Sequence, residues 1–167
     1  GYEYPGRYSR WDIASTRPPL EIVAHGRRVE FRALNVRGEI LTQLLYPVLA
    51  GHPHWESLEP YAGGLAGRLK PLPELFPEEE RSKQPSAFSI LRALIDEFRT
   101  GEDSRLALVG AFGYDLLFQF DPIRLRLPRS EQKDLHLFLC DDIYFMDRKR
   151  EQIERYQHDF EKDGLST

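Results

Sequence analysis

The sequence predicts an α+β fold in which helices pack against an antiparallel sheet. Strand-like segments follow one another across short turns and do not alternate with helices in βαβ units. Two segments show the three- and four-residue spacing of apolar side chains that is typical of amphipathic helices. No internal repeat or low-complexity tract divides the chain, so we expect residues 1–167 to form one domain.

Three short strands are predicted ahead of the first helix. They are residues 8–13, 20–24 and 29–34. The third alternates apolar and polar side chains, as a half-buried strand does. Gly26 suits a tight turn, so the second and third strands should form a hairpin. The pair Pro18-Pro19 separates this hairpin from the first strand.

The two helices are predicted from their apolar stripes and their end signals. The first should run from Gly38 to about Leu49, with Pro47 kinking or shortening it. The second should follow Ser86 as its N-cap and stop at Gly101.

Proline, glycine and apolar runs define the remaining segments. Residues 51–64 hold two prolines and several glycines, which indicates a loop. The apolar run at 106–112 predicts a central strand buried on both faces. Residues 135–146 predict one long strand. The other expected segments are a strand at 65–72, a helical turn at 114–120, a loop at 121–134 and a strand at 152–160 that pairs back across 147–150.

Composition and charge exclude several functional classes. The formal net charge is −4 and no basic stripe is present, so we expect no nucleic-acid partner. No apolar run approaches the roughly 18 residues of a membrane span, so we expect no membrane partner. The one cysteine, Cys140, excludes an internal disulfide and indicates a reducing, cytoplasmic setting. The chain does not begin with Met, and we expect it to be a segment of a longer protein.

We find no group of side chains that would support catalysis or hold a metal. His52 and His54 offer two imidazoles, but a zinc site needs three or four ligands. His136 and Cys140 share a strand face, yet no third group is evident that would orient a Cys–His pair. We therefore assign no catalytic residue, no metal ligand and no cofactor to this chain.

Aromatic and guanidinium groups are interleaved at the N-terminus. The set comprises Tyr2, Tyr4, Arg7, Tyr8, Ser9, Arg10 and Trp11. Arginine can grip a carboxylate with two parallel hydrogen bonds and rings can pack on rings, so the set suits a small ligand with both groups. Ordinary aromatic packing of an edge strand is the other interpretation, and the physical chemistry of these residues favours it.

Four stretches of the sequence resemble, in order, the N-terminal region of the anthranilate synthase component I family. The match is with the bacterial form in which a glutamine amidotransferase follows on the same chain. The stretches are residues 3–12, 18–20 with 33–39, 78–86 with 91–93, and 110–116 with 118–122.

The resemblance implies a function for the longer protein. The family converts chorismate to anthranilate with glutamine-derived ammonia and Mg²⁺, and tryptophan is its feedback inhibitor. The chorismate and Mg²⁺ residues belong to a C-terminal region that this chain lacks, so we expect the chain by itself to be inactive. It would be a regulatory and structural part of the family's two-sheet sandwich, and the sheet should expose apolar surface that the remainder of component I covers.

The resemblance also implies a tryptophan effector site that includes Arg7, Tyr8, Ser9 and Arg10, with Tyr8 and Arg10 facing the core. The expected partners are the rest of component I and the glutamine amidotransferase part. Two alternatives stay open: a related chorismate enzyme of the phenazine or aminodeoxychorismate type, and a free-standing, non-catalytic binding module.

Overall fold

The computed structural model describes residues 10–73, 76–99, 105–120, 126–129 and 131–167. Within these residues the fold is α+β with antiparallel sheets, as predicted. Two short 3₁₀ helices, Glu78–Lys83 and Tyr114–Gln119, accompany the main elements. In chain order these are β1 (Trp11–Ser15), β2 (Leu20–His25), β3 (Arg28–Ala33), α1 (Val36–Ala50), β4 (Trp55–Tyr61), β5 (Gly64–Leu69), α2 (Ala87–Phe98), β6 (Ala107–Phe112), β7 (Leu135–Cys140), β8 (Asp142–Asp147), β9 (Gln152–Gln157), β10 (Glu161–Lys162) and β11 (Leu165–Ser166).

The described strands form a six-stranded sheet, a three-stranded sheet and a small hairpin. The large sheet has the order β4-β5-β3-β2-β7-β6 and the smaller one the order β1-β8-β9, and all neighbours are antiparallel. Strands β10 and β11 pair with each other. The predicted hairpin β2–β3 is confirmed, and Gly26 in its turn has the positive φ of 58° that favours glycine.

The main core lies between α1, α2 and one face of the six-stranded sheet. Every second side chain of β2, β3 and β7 points into it, as the two-residue period of a strand requires. Burial of these side chains is the main source of stability in this layer. The most deeply buried members include Leu20, Ile22, Phe31, Leu41, Leu45, Ile90 and Leu94.

Helix α1 begins earlier and ends later than the sequence predicts. The side chain of Asn35 caps it by accepting a hydrogen bond from the Gly38 backbone N–H at 3.1 Å. Pro47 lies inside the helix, which nevertheless continues to Ala50, so the expected shortening is wrong.

Helix α2 follows Ser86, as predicted, and ends at Phe98. The Ser89 hydroxyl donates to the Ser86 carbonyl oxygen at 2.7 Å and closes the first turn. Gly101, the expected stop signal, lies outside the described residues.

The predicted loop at 51–64 is wrong, because residues 55–61 form β4. This strand lies at the edge of the six-stranded sheet, where a proline such as Pro60 leaves no ladder hydrogen bond unmade. Gly63, with φ 96°, makes the tight turn from β4 into β5. Proline is therefore compatible here with a strand, and composition by itself was a misleading guide.

The strand expected at 106–112 exists as β6, but it is not central. It occupies the other edge of the six-stranded sheet, and most of its side chains are exposed. A continuous apolar run is thus no proof of burial on both faces.

The strand expected at 135–146 is two strands in two different sheets. Strand β7 belongs to the large sheet and β8 to the small one, with Asp141 between them. The pairing of β8 with β9 across the predicted turn is confirmed. The first strand, predicted at 8–13, spans Trp11–Ser15 within the described residues.

The second face of β2 and β3 carries charged side chains, so the apolar surface expected of the sheet does not lie on these two strands. Glu21 lies 2.5 Å from His136 Nε2, and Arg32 lies 2.7 Å from Glu30. Burial pushes the pKa of Glu21 upward, but Lys133, His136 and Arg32 outweigh it and hold the pKa below its usual value. Long paired side chains cover this part of the sheet.

Candidate functional site

Arg10 is the member of the predicted effector set that the structure describes. Arg7, Tyr8 and Ser9 lie outside the described residues. The Arg10 carbonyl oxygen accepts a hydrogen bond from the Arg148 backbone N–H at 3.0 Å, which anchors the chain just before β1 to the turn after β8. The structure therefore places the end of the predicted set at one corner of the three-stranded sheet.

The Arg10 guanidinium is held by the carboxylate of Asp147, the last residue of β8. Its Nη2 and Nε donate to Asp147 Oδ2 at 2.6 and 3.1 Å. Asp147 Oδ1 accepts from the backbone N–H groups of Lys149 and Arg150 at 2.9 and 3.2 Å. These donors, with Arg10 first, lower the pKa of Asp147 to about 2, so the carboxylate is ionised at neutral pH.

Arg10 itself stays at the surface while its partner is covered. The Arg10 side chain is 46% exposed and that of Asp147 is 4% exposed. The guanidinium carbon lies 4.7 Å from the centre of the Trp11 ring, within the range of a cation–π contact. The expectation that Arg10 faces the core is wrong: the ion pair draws its side chain across the sheet corner.

The Arg10 N–H groups that do not contact Asp147 can donate hydrogen bonds to a ligand at this corner of the three-stranded sheet. A guanidinium carries five donors, and the Asp147 contacts engage two nitrogen atoms. The exposed donors beside an indole ring can bind a carboxylate. Arg148 is paired with Asp12, through Nη2 and Oδ1 at 2.8 Å, so it is less available to a ligand.

An apolar cavity of about 280 Å³ lies further along β1. Ile13 of this cavity is three residues from Arg10, about 10 Å along an extended strand. Burial raises the pKa of the Cys140 thiol in its wall, so this thiol is not activated as a nucleophile. The cavity is lined by Ile13, Ala14, Ser15, Pro18, Val109, Phe138, Cys140 and Ile143.

The other side chains considered from the sequence make structural contacts. His54 Nδ1 lies 2.8 Å from Ser89 Oγ, and the His52 and His54 rings meet edge to face at 4.9 Å. His136 pairs with Glu21, away from the Cys140 thiol. Among the described residues, no three His, Cys, Asp or Glu side chains gather in a way that could hold a metal ion.

Asp147 is the partner of Arg10 that the sequence does not reveal. It stands 137 residues from Arg10 and was assigned only to a hairpin turn. The pairing of Trp11 with Asp147 in the β1–β8 register brings the two together. A cross-strand relationship of this kind has no signal in local spacing.

No family model matches this chain. It is 44% identical over 149 residues to an anthranilate synthase from Azospirillum brasilense. The aligned region covers 88% of this chain and 20% of that protein, so the chain spans about a fifth of the length of the curated relative it matches.

No helix in the described part of the chain has the length and apolar character of a membrane-spanning segment. The 44% identity to the Azospirillum protein extends over 88% of this chain. The resemblance to anthranilate synthase is therefore confirmed: this chain is similar, along most of its length, to part of such an enzyme.

Proposed function

We propose that this chain is the N-terminal, non-catalytic part of an anthranilate synthase. The observation that supports this most strongly is the 44% identity to a relative of which the chain spans only 20%. The complete protein would form anthranilate from chorismate and glutamine-derived ammonia, the first step of tryptophan biosynthesis. Chorismate and Mg²⁺ would bind to parts of the protein outside this chain, and the two sheets would belong to the family's two-sheet sandwich.

Within that enzyme, Arg7, Tyr8, Ser9 and Arg10 would contribute to the tryptophan feedback site. The support is the exposed guanidinium of Arg10, fixed by Asp147 and set beside the Trp11 ring. It can meet the carboxylate of an amino acid, and the Ser9 hydroxyl offers a further polar group. Inhibition follows when tryptophan favours one of two arrangements of the enzyme, because equal affinity for both would shift nothing.

The glutamine amidotransferase part would follow on the same polypeptide, and the protein would act in the cytoplasm.

A guanidinium held in place before the ligand arrives loses little conformational entropy on binding, which favours recognition. Asp147 would thus serve as the residue that positions Arg10.

The test is an assay of the full-length protein that carries this sequence. Purified protein receives chorismate, Mg²⁺ and either glutamine or ammonium, and anthranilate fluorescence is recorded while tryptophan is titrated. We expect anthranilate formation and inhibition by tryptophan. Consumption of chorismate without anthranilate would identify a different chorismate enzyme and overturn the proposal.

A further inference from the structure

Within the described part of the chain, strand β6 is an unprotected edge of the six-stranded sheet. Its residues, Ala107–Phe112, include no charged side chain and no proline. Val109 is 48% exposed and Phe112 is 55% exposed. It pairs with β7 on one side, and no strand among the described residues pairs with its other side. Such an edge presents unpaired backbone N–H and C=O groups to any extended segment nearby.

The opposite edge of the same sheet shows how this protein protects an edge from pairing. Strand β4 carries Glu56, Glu59 and Pro60. Its register with β5 shifts between Trp55 and Ser57, as at a β-bulge. Charge, proline and bulge are three devices that block the addition of another strand. Because β6 has none of the three, the contrast within one sheet indicates that β6 is built to be paired.

The geometry of β6 also suits a neighbouring strand. All six residues pair in regular antiparallel register with β7. A Cβ at Gly110 would lie 2.0 Å from the His136 carbonyl oxygen, so glycine allows the two backbones to approach closely. Phe112 packs on Phe88 with ring centres 5.4 Å apart, which holds the end of the strand against α2. The edge is therefore regular and anchored.

Both faces beside this edge offer apolar surface. Val109 lies on the face that lines the apolar cavity, and Phe112 lies on the face of the helices. Tyr114, just after the strand, is also largely exposed. An added strand with apolar side chains would cover Val109 on one face and Phe112 on the other, while its backbone satisfied that of β6.

We propose that a β-strand from the part of the protein outside this chain adds to β6 through main-chain hydrogen bonds. This inference rests on the proposed function, in which the chain is one part of a longer enzyme. The relative it matches is about five times longer than the aligned region, which leaves ample chain to supply the strand. The six-stranded sheet described here then continues into the rest of the enzyme.

The proposal is tested by hydrogen exchange on the full-length protein, with mass spectrometry of peptides covering β6 and β4. In a strand paired on one side, about half of the amide groups lack a partner and exchange rapidly. We expect β6 to exchange slowly throughout, like the central strand β2, while β4 keeps a rapidly exchanging half. Rapid exchange of half of β6, to the same extent as β4, would overturn the proposal.

A cross-linking measurement identifies the added strand. Ala111→p-benzoylphenylalanine in the full-length protein places a photoreactive group on the edge. We expect it to react with a peptide from outside residues 1–167 of the same molecule. Reaction with a peptide inside 1–167, or a cross-linked dimer whose yield rises with protein concentration, would overturn the proposal.

Assaying anthranilate formation on the same preparation separates the two proposals. Activity together with a half-exchanging β6 refutes the strand addition and leaves the function standing. A fully protected β6 cross-linked to an outside peptide, in a protein that forms no anthranilate, refutes the function and leaves the strand addition standing.

Discussion

The guanidinium of Arg37, in the first turn of α1, donates from Nε to the carboxylate of Asp141 at 2.8 Å. Asp141 is the residue between β7 and β8, where the chain passes from the large sheet to the small one. The same guanidinium donates to the His158 carbonyl oxygen at 2.7 Å and to Asp159 at 2.9 Å. One side chain therefore ties the first helix to the crossing point and to the segment after β9.

Replacing Arg37 should destabilise the fold more than replacing an arginine in a surface ion pair. The Asp141 side chain is 4% exposed, so Arg37→Ala leaves a covered carboxylate without its guanidinium. We expect a loss of about 1–3 kcal/mol in the free energy of unfolding, measured by urea denaturation.

Arg155→Ala is the matched control, because it removes a bidentate pair with the more exposed Asp142. We expect it to cost less than about 1 kcal/mol. Equal losses for the two variants would show that the Arg37 contacts have no special structural role.

Gly38→Ala should destabilise the protein even though alanine favours helix formation. A Cβ at Gly38 would lie 2.0 Å from the Pro19 carbonyl oxygen, a backbone atom that cannot move without shifting β2. We expect a loss of about 1–3 kcal/mol, seen as a lower melting temperature. Gly51→Ala is the control, because the nearest atom to its Cβ is 4.0 Å away and its φ is −77°. A Gly38→Ala protein as stable as the Gly51→Ala protein would contradict the close packing of α1 on β2.

The fold class was predictable because periodicity and turn chemistry are local properties. The β2–β3 hairpin follows from alternation and from Gly26, and α2 follows from its apolar stripe behind Ser86. The two wrong predictions, a loop where β4 lies and a central strand where β6 lies, concern the position of a strand within the sheet. Position depends on which strand pairs with which, and composition does not encode that directly.

The break at Asp141 and the Arg10–Asp147 pair were not predictable for a related reason. Each joins parts of the chain that lie more than 100 residues apart. Residues 135–146 are strand-like on both sides of the acidic pair Asp141-Asp142, and that pair does not by itself signal that Asp141 binds Arg37 or that the chain changes sheets there. The candidate site was located by resemblance, and its supporting carboxylate became visible only in the register of β1 with β8.

The contribution of Asp147 to stability should depend on pH. Its pKa falls from 3.8 to about 2 in the folded protein, so its stabilisation is complete above about pH 4 and is lost as pH falls through about 2. Asp147→Asn should lower the melting temperature near pH 7, and the gap to the wild-type protein should close between pH 4 and 2. Glu79→Gln, at an exposed site on the 3₁₀ helix Glu78–Lys83, is the control. A gap that is unchanged down to pH 2 would contradict the ionised Asp147 pair.

The purified chain of residues 1–167 should form no anthranilate. The described residues hold no cluster of metal ligands, and the sequence shows no catalytic constellation. The measurement is fluorescence in the presence of chorismate, Mg²⁺ and ammonium, with the full-length protein as the positive control. Sustained anthranilate formation by the chain itself would contradict its assignment as a non-catalytic part.

The tryptophan inhibition curve of the full-length Arg10→Ala variant tests the central claim most directly. Arg155→Ala, on the same three-stranded sheet, serves as the matched control, and Ser9→Ala extends the test to the residue before Arg10. Loss of a charge-assisted hydrogen bond should raise the tryptophan concentration for half-inhibition by about tenfold or more in Arg10→Ala. The account predicts this shift with anthranilate formation retained and with the Arg155→Ala curve unchanged. Wild-type inhibition curves in active Arg10→Ala and Ser9→Ala enzymes would contradict the account. The aromatic and arginine side chains of this corner would then serve in packing and not in binding tryptophan.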